Sequence, residues 1–407
     1  MLELPGRDRL IEPDFDEVYR VGVLDGESWE MFGRVNRVAF DAEGNLYVFE
    51  GTMGLTGPKD LRVLVFDAAG GFIREFGSWG GGPGEFSQPT GFAVLRDGTT
   101  VVSDAGHRAY QLFHASGVFL RQVRAGGVSF PGGIEADPQG GAVFAGSFAE
   151  GGLSVRIGSA GTTPTSRPVM RVGLGDQVAQ TDTVVQGWLP PRTDAELPMP
   201  NNAPAEIRSM LGMSLPTVFE PRLLVGFLPD GGIVHSDSSA YVLKVTSSGS
   251  EEVARVIRRP LLPEPLTPTV RREYEERRAA AREERGGVDA VQDRMRGIVG
   301  RLVPRGGDSR NATVAVREPN YYPEIPVLRG LAATWGGRIW VQRRGELPES
   351  DGPVDVVTVA GEYVGTYRTG ATKIPDAFGP DGLAAFIEFD ELDVPRVVVR
   401  RLPTAVR

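Results

Sequence analysis

Val94-Leu95-Arg96-Asp97-Gly98-Thr99-Thr100-Val101-Val102 reads as two short strands turning at Asp-Gly. It leads into Leu112-Phe113-His114-Ala115-Ser116-Gly117-Val118-Phe119-Leu120-Arg121, two more strands turning at a glycine. The same unit stands earlier, as Phe40-Asp41-Ala42-Glu43-Gly44-Asn45-Leu46-Tyr47-Val48 followed by Val65-Phe66-Asp67-Ala68-Ala69-Gly70-Gly71-Phe72-Ile73-Arg74. Four antiparallel strands recurring about every 45–50 residues predict the blades of a β-propeller. That pattern predicts an architecture and leaves the activity open, because propellers host many unrelated functions.

Six blades can be counted outward from this pair. Blade one spans 32–80, blade two 86–126, blade three 128–175, blade four 218–260, blade five 326–370 and blade six 371–407. The last blade shows three strands, and Val18-Tyr19-Arg20-Val21-Gly22-Val23, within 17–31, reads as the missing fourth. Pairing it there closes the ring and removes two open edges. The expectation is a single all-β domain of four-stranded antiparallel blades, closed by the N-terminal strand. Residues 176–217 read as an insertion between blades; a seventh, worn blade there is disfavoured by Pro190, Pro191, Pro198, Pro200 and Pro204. Residues 261–325 read as a second, helical insertion. Thr267 is placed to cap a helix with Pro268 in its first turn, and Gly286-Gly287 ends it. Val288, Val291, Met295, Ile298 and Leu302 mark the stripe of a second helix.

Composition narrows the function classes. The 407 residues carry a net charge of −9, which argues against a nucleic-acid partner. No apolar run is long enough to cross a bilayer, and the N-terminus shows no apolar leader core. With no cysteine, thiolate catalysis, disulfides and Cys-ligated metal are excluded.

Gly80-Gly81-Gly82-Pro83-Gly84-Glu85-Phe86-Ser87-Gln88-Pro89-Thr90-Gly91-Phe92-Ala93-Val94, with Asp104-Ala105-Gly106-His107-Arg108-Ala109-Tyr110-Gln111-Leu112-Phe113, resembles the NHL repeat. The whole chain is similar to a group of bacterial six-bladed propellers whose members usually carry export signals. The resemblance implies a periplasmic or otherwise extracytoplasmic protein.

In a propeller, the loops between blades and those after each second strand emerge on one face. Both insertions, the Gly-rich loop 78–89 and the loops 51–60 and 343–353 therefore crowd one mouth of the channel, where binding is expected. Trp79, Trp188, Tyr321, Tyr322, Arg343 and Arg344 are the candidate contact residues, since aromatic and Arg side chains make effective anchors. Phe86 is read as packing between blades. The expected partner is another protein or a multi-subunit assembly, met through 176–217 and 261–325.

Glu50, Asp104, Asp237 and Glu388 recur at the ends of second strands. A carboxylate ring there could hold Ca²⁺ and serve a hydrolase or lactonase. The plainer alternative is that each carboxylate serves its own loop, with Asp104 paired to Arg108. His107, His114 and His235 fall on only two blades, too few for a three-His zinc site. No Gly-x-Ser-x-Gly nucleophile elbow occurs. The expected function is a non-catalytic binding module without a cofactor; the alternatives are a Ca²⁺-dependent hydrolase or lactonase at the channel mouth and a structural subunit of a larger envelope or membrane-associated assembly.

Overall fold

The computed structural model describes residues 1–53, 60–126, 133–146, 165–190, 217–284 and 320–407. Two strands, β1 (Leu2–Glu3) and β2 (Asp16–Val21), precede the first blade. Blade one is β3 (Val35–Phe40), β4 (Leu46–Glu50), β5 (Arg62–Phe66) and β6 (Phe72–Phe76). Blade two is β7 (Pro89–Val94), β8 (Thr100–Asp104), β9 (Ala109–Phe113) and β10 (Phe119–Arg124). Blade three is β11 (Ile134–Ala136), β12 (Ala142–Gly146), β13 (Ser166–Gly173) and β14 (Gln180–Trp188). Blade four is β15 (Leu224–Phe227), β16 (Ile233–Ser236), β17 (Val242–Thr246) and β18 (Val253–Arg258). A short stem, β19 (Glu264–Pro265) with β20 (Glu324–Ile325), brackets helix α1 (Pro268–Glu284). Blade five is β21 (Leu328–Ala333), β22 (Arg338–Arg344), β23 (Asp351–Thr358) and β24 (Tyr363–Tyr367). Blade six is β25 (Ala377–Phe378), β26 (Leu383–Phe389) and β27 (Pro395–Arg401), completed by β2.

Burial explains why some strands are easier to read than others. The second strands β4, β8 and β12 are buried along their whole length, so they lack the alternation of a half-wet strand; β12 and Leu46–Phe49 of β4 read as apolar runs, while β8 buries Thr100, Ser103 and Asp104 with its valines. The outer strands β6 and β10 alternate, with one face packed and one wet. Six apolar clusters fill the six gaps between neighbouring blades, so the core is a ring of wedges. Tight turns join the strands, and Asp side chains close several of them. Asp41 Oδ1 accepts from the amides of Glu43 and Asn45, and Asp67 Oδ1 from those of Ala69 and Gly71.

Ring closure follows the expected plan, with β2 antiparallel to β27 and Val21 opposite Val397. The strand lies two residues earlier than the Val18–Val23 reading. Upstream of it the chain forms a strap. Leu2 and Glu3 add a parallel fifth strand to blade four, and Leu10 bridges to Thr366 on the outer strand of blade five. Leu4 enters the core between blades four and five, and Phe15 packs on the core between blades five and six.

Blade three departs from the sequence boundaries. Its fourth strand, β14, occupies Gln180–Trp188, inside the segment read as an insertion. The chain between Gly146 and Ser166 displaces the last two strands from the repeat period, while Val184 and Val185 still bury as strand residues. The helix expected over Val288–Leu302 lies outside the described residues. The first helix begins at Pro268 as expected, and the Thr267 hydroxyl accepts from the Val270 amide at 3.3 Å; its expected end at Gly286-Gly287 also lies outside the described residues.

Candidate binding face at the propeller mouth

The loops after second strands and those between blades do share one face, and ion pairs tie them together. Arg277 on α1 meets Glu349, in the loop after β22, at 2.6 Å. Arg344 meets Glu264 at the stem at 2.9 Å. The helix is further seated by rings: Tyr274 packs on Phe219 at 4.8 Å, and Arg271 lies over Tyr321 at 4.5 Å. Phe219 has φ +63°, a costly conformation for a bulky residue, which its ring contacts hold in place. Tyr321 also bridges to Val218, and the Tyr322 amide donates to the Val218 carbonyl. Both tyrosines are half-buried in this junction.

The four carboxylates at the ends of second strands are each engaged by their own surroundings. Glu50 accepts from the Gly33 amide and pairs with Arg62 at 2.7 Å. Asp104 accepts from the amides of Ser87, Gln88, Gly106 and His107, and from His107 Nδ1 at 3.1 Å. Its side-chain partner is thus His107, and Arg108 instead adopts φ +54° in the turn. Asp237 accepts from the Trp188 amide and from Lys244 Nζ, both at 2.7 Å. Glu388 pairs with Arg400, which also lies over the Phe386 ring at 4.9 Å. Among the described residues, no three His, Asp or Glu side chains come together in a metal-binding group.

Beside Asp237, His235 is buried, and burial pushes its pKa down to about 4. The nearby Asp237 charge opposes that shift and Lys244 reinforces it. Burial alone would raise the Asp237 pKa, but Lys244 and the Trp188 amide outweigh it and hold it below the usual carboxylate range.

The six candidate contact residues divide. Trp79 and Trp188 stand 49% and 42% exposed at the mouth. Arg343 and Arg344 are engaged internally. Arg343 belongs to a cluster that no motif announced. Arg259 pairs with Asp355 at 2.7 Å and with Asp8 at 2.6 Å, and Arg343 holds the other Asp8 oxygen at 2.8 Å. Burial would raise the Asp8 pKa, yet the two guanidinium groups hold it low. This cluster fastens the strap to blades four and five. Phe86 is fully buried between Phe49 and Phe113, as expected of a packing residue.

Between blades five and six a cavity of about 600 Å³ opens toward the mouth. Pro13 and Phe15 of the strap wall one side; Gln342, Lys373, Glu388 and Arg400 supply polar groups. At the face away from the mouth, Arg96 of blade two stacks over Trp335 of blade five at 4.7 Å. These blades lie opposite one another, so the contact bridges the channel.

No family model matches the chain. Over 82 residues it is 36% identical to the human E3 ubiquitin-protein ligase NHLRC1; the match spans 20% of this chain and 20% of that protein's length. It resembles the solved structure of a candidate exported protein of Bacteroides fragilis at 10% identity and TM-score 0.49, covering 99% of each chain. A member of the DUF4221 family from Bacteroides vulgatus aligns at 8% identity and TM-score 0.48, covering 96% of this chain and 99% of the other. No helix among the described residues is long and apolar enough to cross a membrane. The chain is a six-bladed β-propeller, and about a fifth of it is similar to an NHL-repeat protein.

Proposed function

We propose that the chain is a non-catalytic binding module that engages a protein partner through its loop-bearing mouth. One observation carries this reading: among the described residues, nine of the sixteen large apolar side chains left in solvent sit there. Val23, Leu24 and Met31 come from the loop entering blade one, and Phe389 and Leu392 from the hairpin of blade six. Trp79, Trp188, Leu262 and Leu347 come from other loops of the same face. Exposed apolar surface concentrated on one face favours docking over chance scatter. The Arg96–Trp335 stack supports approach from the mouth side. An extracytoplasmic setting belongs to the proposal, from the resemblance of the repeats to exported propellers.

The rival reading, cation-dependent hydrolysis, needs Glu50, Asp104, Asp237 and Glu388 to share an ion. Each is bonded to its own loop or an adjacent cation, and no observation favours that reading.

The test compares partner capture from the source cell by three proteins: wild type, Trp79→Ser/Leu392→Ser at the mouth, and Val118→Ser/Leu120→Ser away from it. The expected result is a partner retained by the last and lost from the mouth variant. A partner lost equally from both variants, or lost only from Val118→Ser/Leu120→Ser, would overturn the proposal.

A further inference from the structure

We infer that the blade-six side of the mouth, formed by residues 22–33 and 389–395, docks a cationic amphipathic segment of a partner protein. This rests on the reading of the mouth as a docking face and names the kind of segment it takes. Phe389, Leu392, Val23 and Leu24 are 61%, 69%, 42% and 61% exposed. They belong to one end of one sheet. Phe389 pairs with Pro395, and Gly22 is packed against Pro395 and Arg396. Four apolar side chains, offered by adjacent loops, make a surface that water covers poorly.

The charge on these loops has a single sign. Residues 22–33 contain Asp25, Glu27 and Glu30; residues 389–395 contain Asp390, Glu391 and Asp393; neither holds Lys, Arg or His. Two of the six carboxylates serve the loops themselves. Glu30 accepts from the Glu27 amide, and Asp390 accepts from the amides of Leu392 and Val394. Asp25, Glu27, Glu391 and Asp393 remain exposed around the apolar centre, with no ion pair among the described residues. An apolar centre rimmed by unpaired negative charge is complementary to a segment with Leu-like residues on one side and Lys or Arg beside them. The same charge opposes insertion of Phe389 and Leu392 into an anionic lipid surface.

Both loops are held in shape before any partner arrives. Trp29 stacks on Phe72 at 4.9 Å, Phe32 packs on Phe66, and the Val23 amide donates to the Glu30 carbonyl. Arg62 Nη2 donates to the Ser28 carbonyl at 2.8 Å. Asp393 takes φ +59° in the hairpin turn, which the Asp390 bonds fix. Rigid display reduces the entropy lost on binding.

The test uses the full chain and a labelled helical peptide of about 18 residues with a Leu face and a Lys face, read by fluorescence anisotropy. The matched peptide has Glu in place of Lys. Wild type should bind the Lys peptide, lose affinity about tenfold as salt rises to physiological strength, and leave the Glu peptide unbound. Asp25→Asn/Glu391→Gln should weaken the Lys peptide and flatten its salt dependence. Phe389→Ser/Leu392→Ser, confirmed folded by circular dichroism, should abolish binding. No binding of the Lys peptide, equal binding of both peptides, or stronger binding to phosphatidylglycerol vesicles would overturn the inference. If it falls while a crosslinker at Leu392 still captures a partner, only the charge assignment fails; if that capture is also absent, the docking reading falls with it.

Discussion

Asp355 and the Arg259 guanidinium pair at 2.7 Å with no solvent exposure, while Asp8 closes the cluster from the half-exposed strap. Removing one member of a fully buried pair leaves an uncompensated charge. Asp355→Ala is expected to cost about 3–5 kcal/mol. Asp8→Ala, at the wetter end, should cost less, and urea unfolding of both variants checks the order. His235 gives a pH signature. Its folded pKa lies near 4, below the ordinary value of 6.5, so below pH 6.5 the unfolded chain takes up a proton that the folded chain refuses. Its contribution to stability is full above pH 6.5 and declines as pH falls toward 4. His235→Phe should flatten that part of the stability–pH curve, whereas an unchanged slope would assign the acid sensitivity elsewhere. Neither group was legible in the sequence. Asp8 meets residues hundreds of positions away, and only the fold shows which arginines it answers.

At the scale of elements, regular spacing decided what could be read. Blades one and two repeat at even intervals with Asp and Gly at their turns, and their strands stand where the pattern puts them. In blade three the long sequence separation of β12 and β13 breaks the period, so β14 reads as insertion. The closing strand β2 was legible because blade six lacked a partner. The strap before it was not, since Leu2–Glu3 and Leu10 pair only one or two residues each. That strap covers the edges of β18 and β24, which would otherwise present open donors and acceptors. Deleting residues 1–11 should lower the melting temperature and raise amide exchange in β18 and β24. Exchange in β6, which the strap does not touch, should stay unchanged. Equal exchange throughout the ring would mean the strap acts by some route other than edge protection.

The whole molecule is a ring of six interblade cores with two unlike faces. The face of short hairpins is closed by Asp-capped turns and bridged by Arg96 and Trp335. The other collects the loops, the helix and, among the described residues, most of the exposed apolar side chains. Sequence reasoning located this face, because loop length and strand order set it. It offered Trp79, Trp188, Tyr321, Tyr322, Arg343 and Arg344 as contacts; Trp79 and Trp188 are exposed there, the two tyrosines are half-buried, and Arg343 and Arg344 have internal partners. It also passed over Phe389 and Leu392, because an apolar residue in a hairpin looks the same in sequence whether buried or bare. The most direct measurement is site-specific photo-crosslinking in the source cell, with the reactive residue at position 392 or 79 on the mouth and at 118 on the other face. A discrete adduct from the mouth positions and none from 118 is the predicted result. Adducts from 118 alone, or equally from all three, would contradict a mouth-directed binding module.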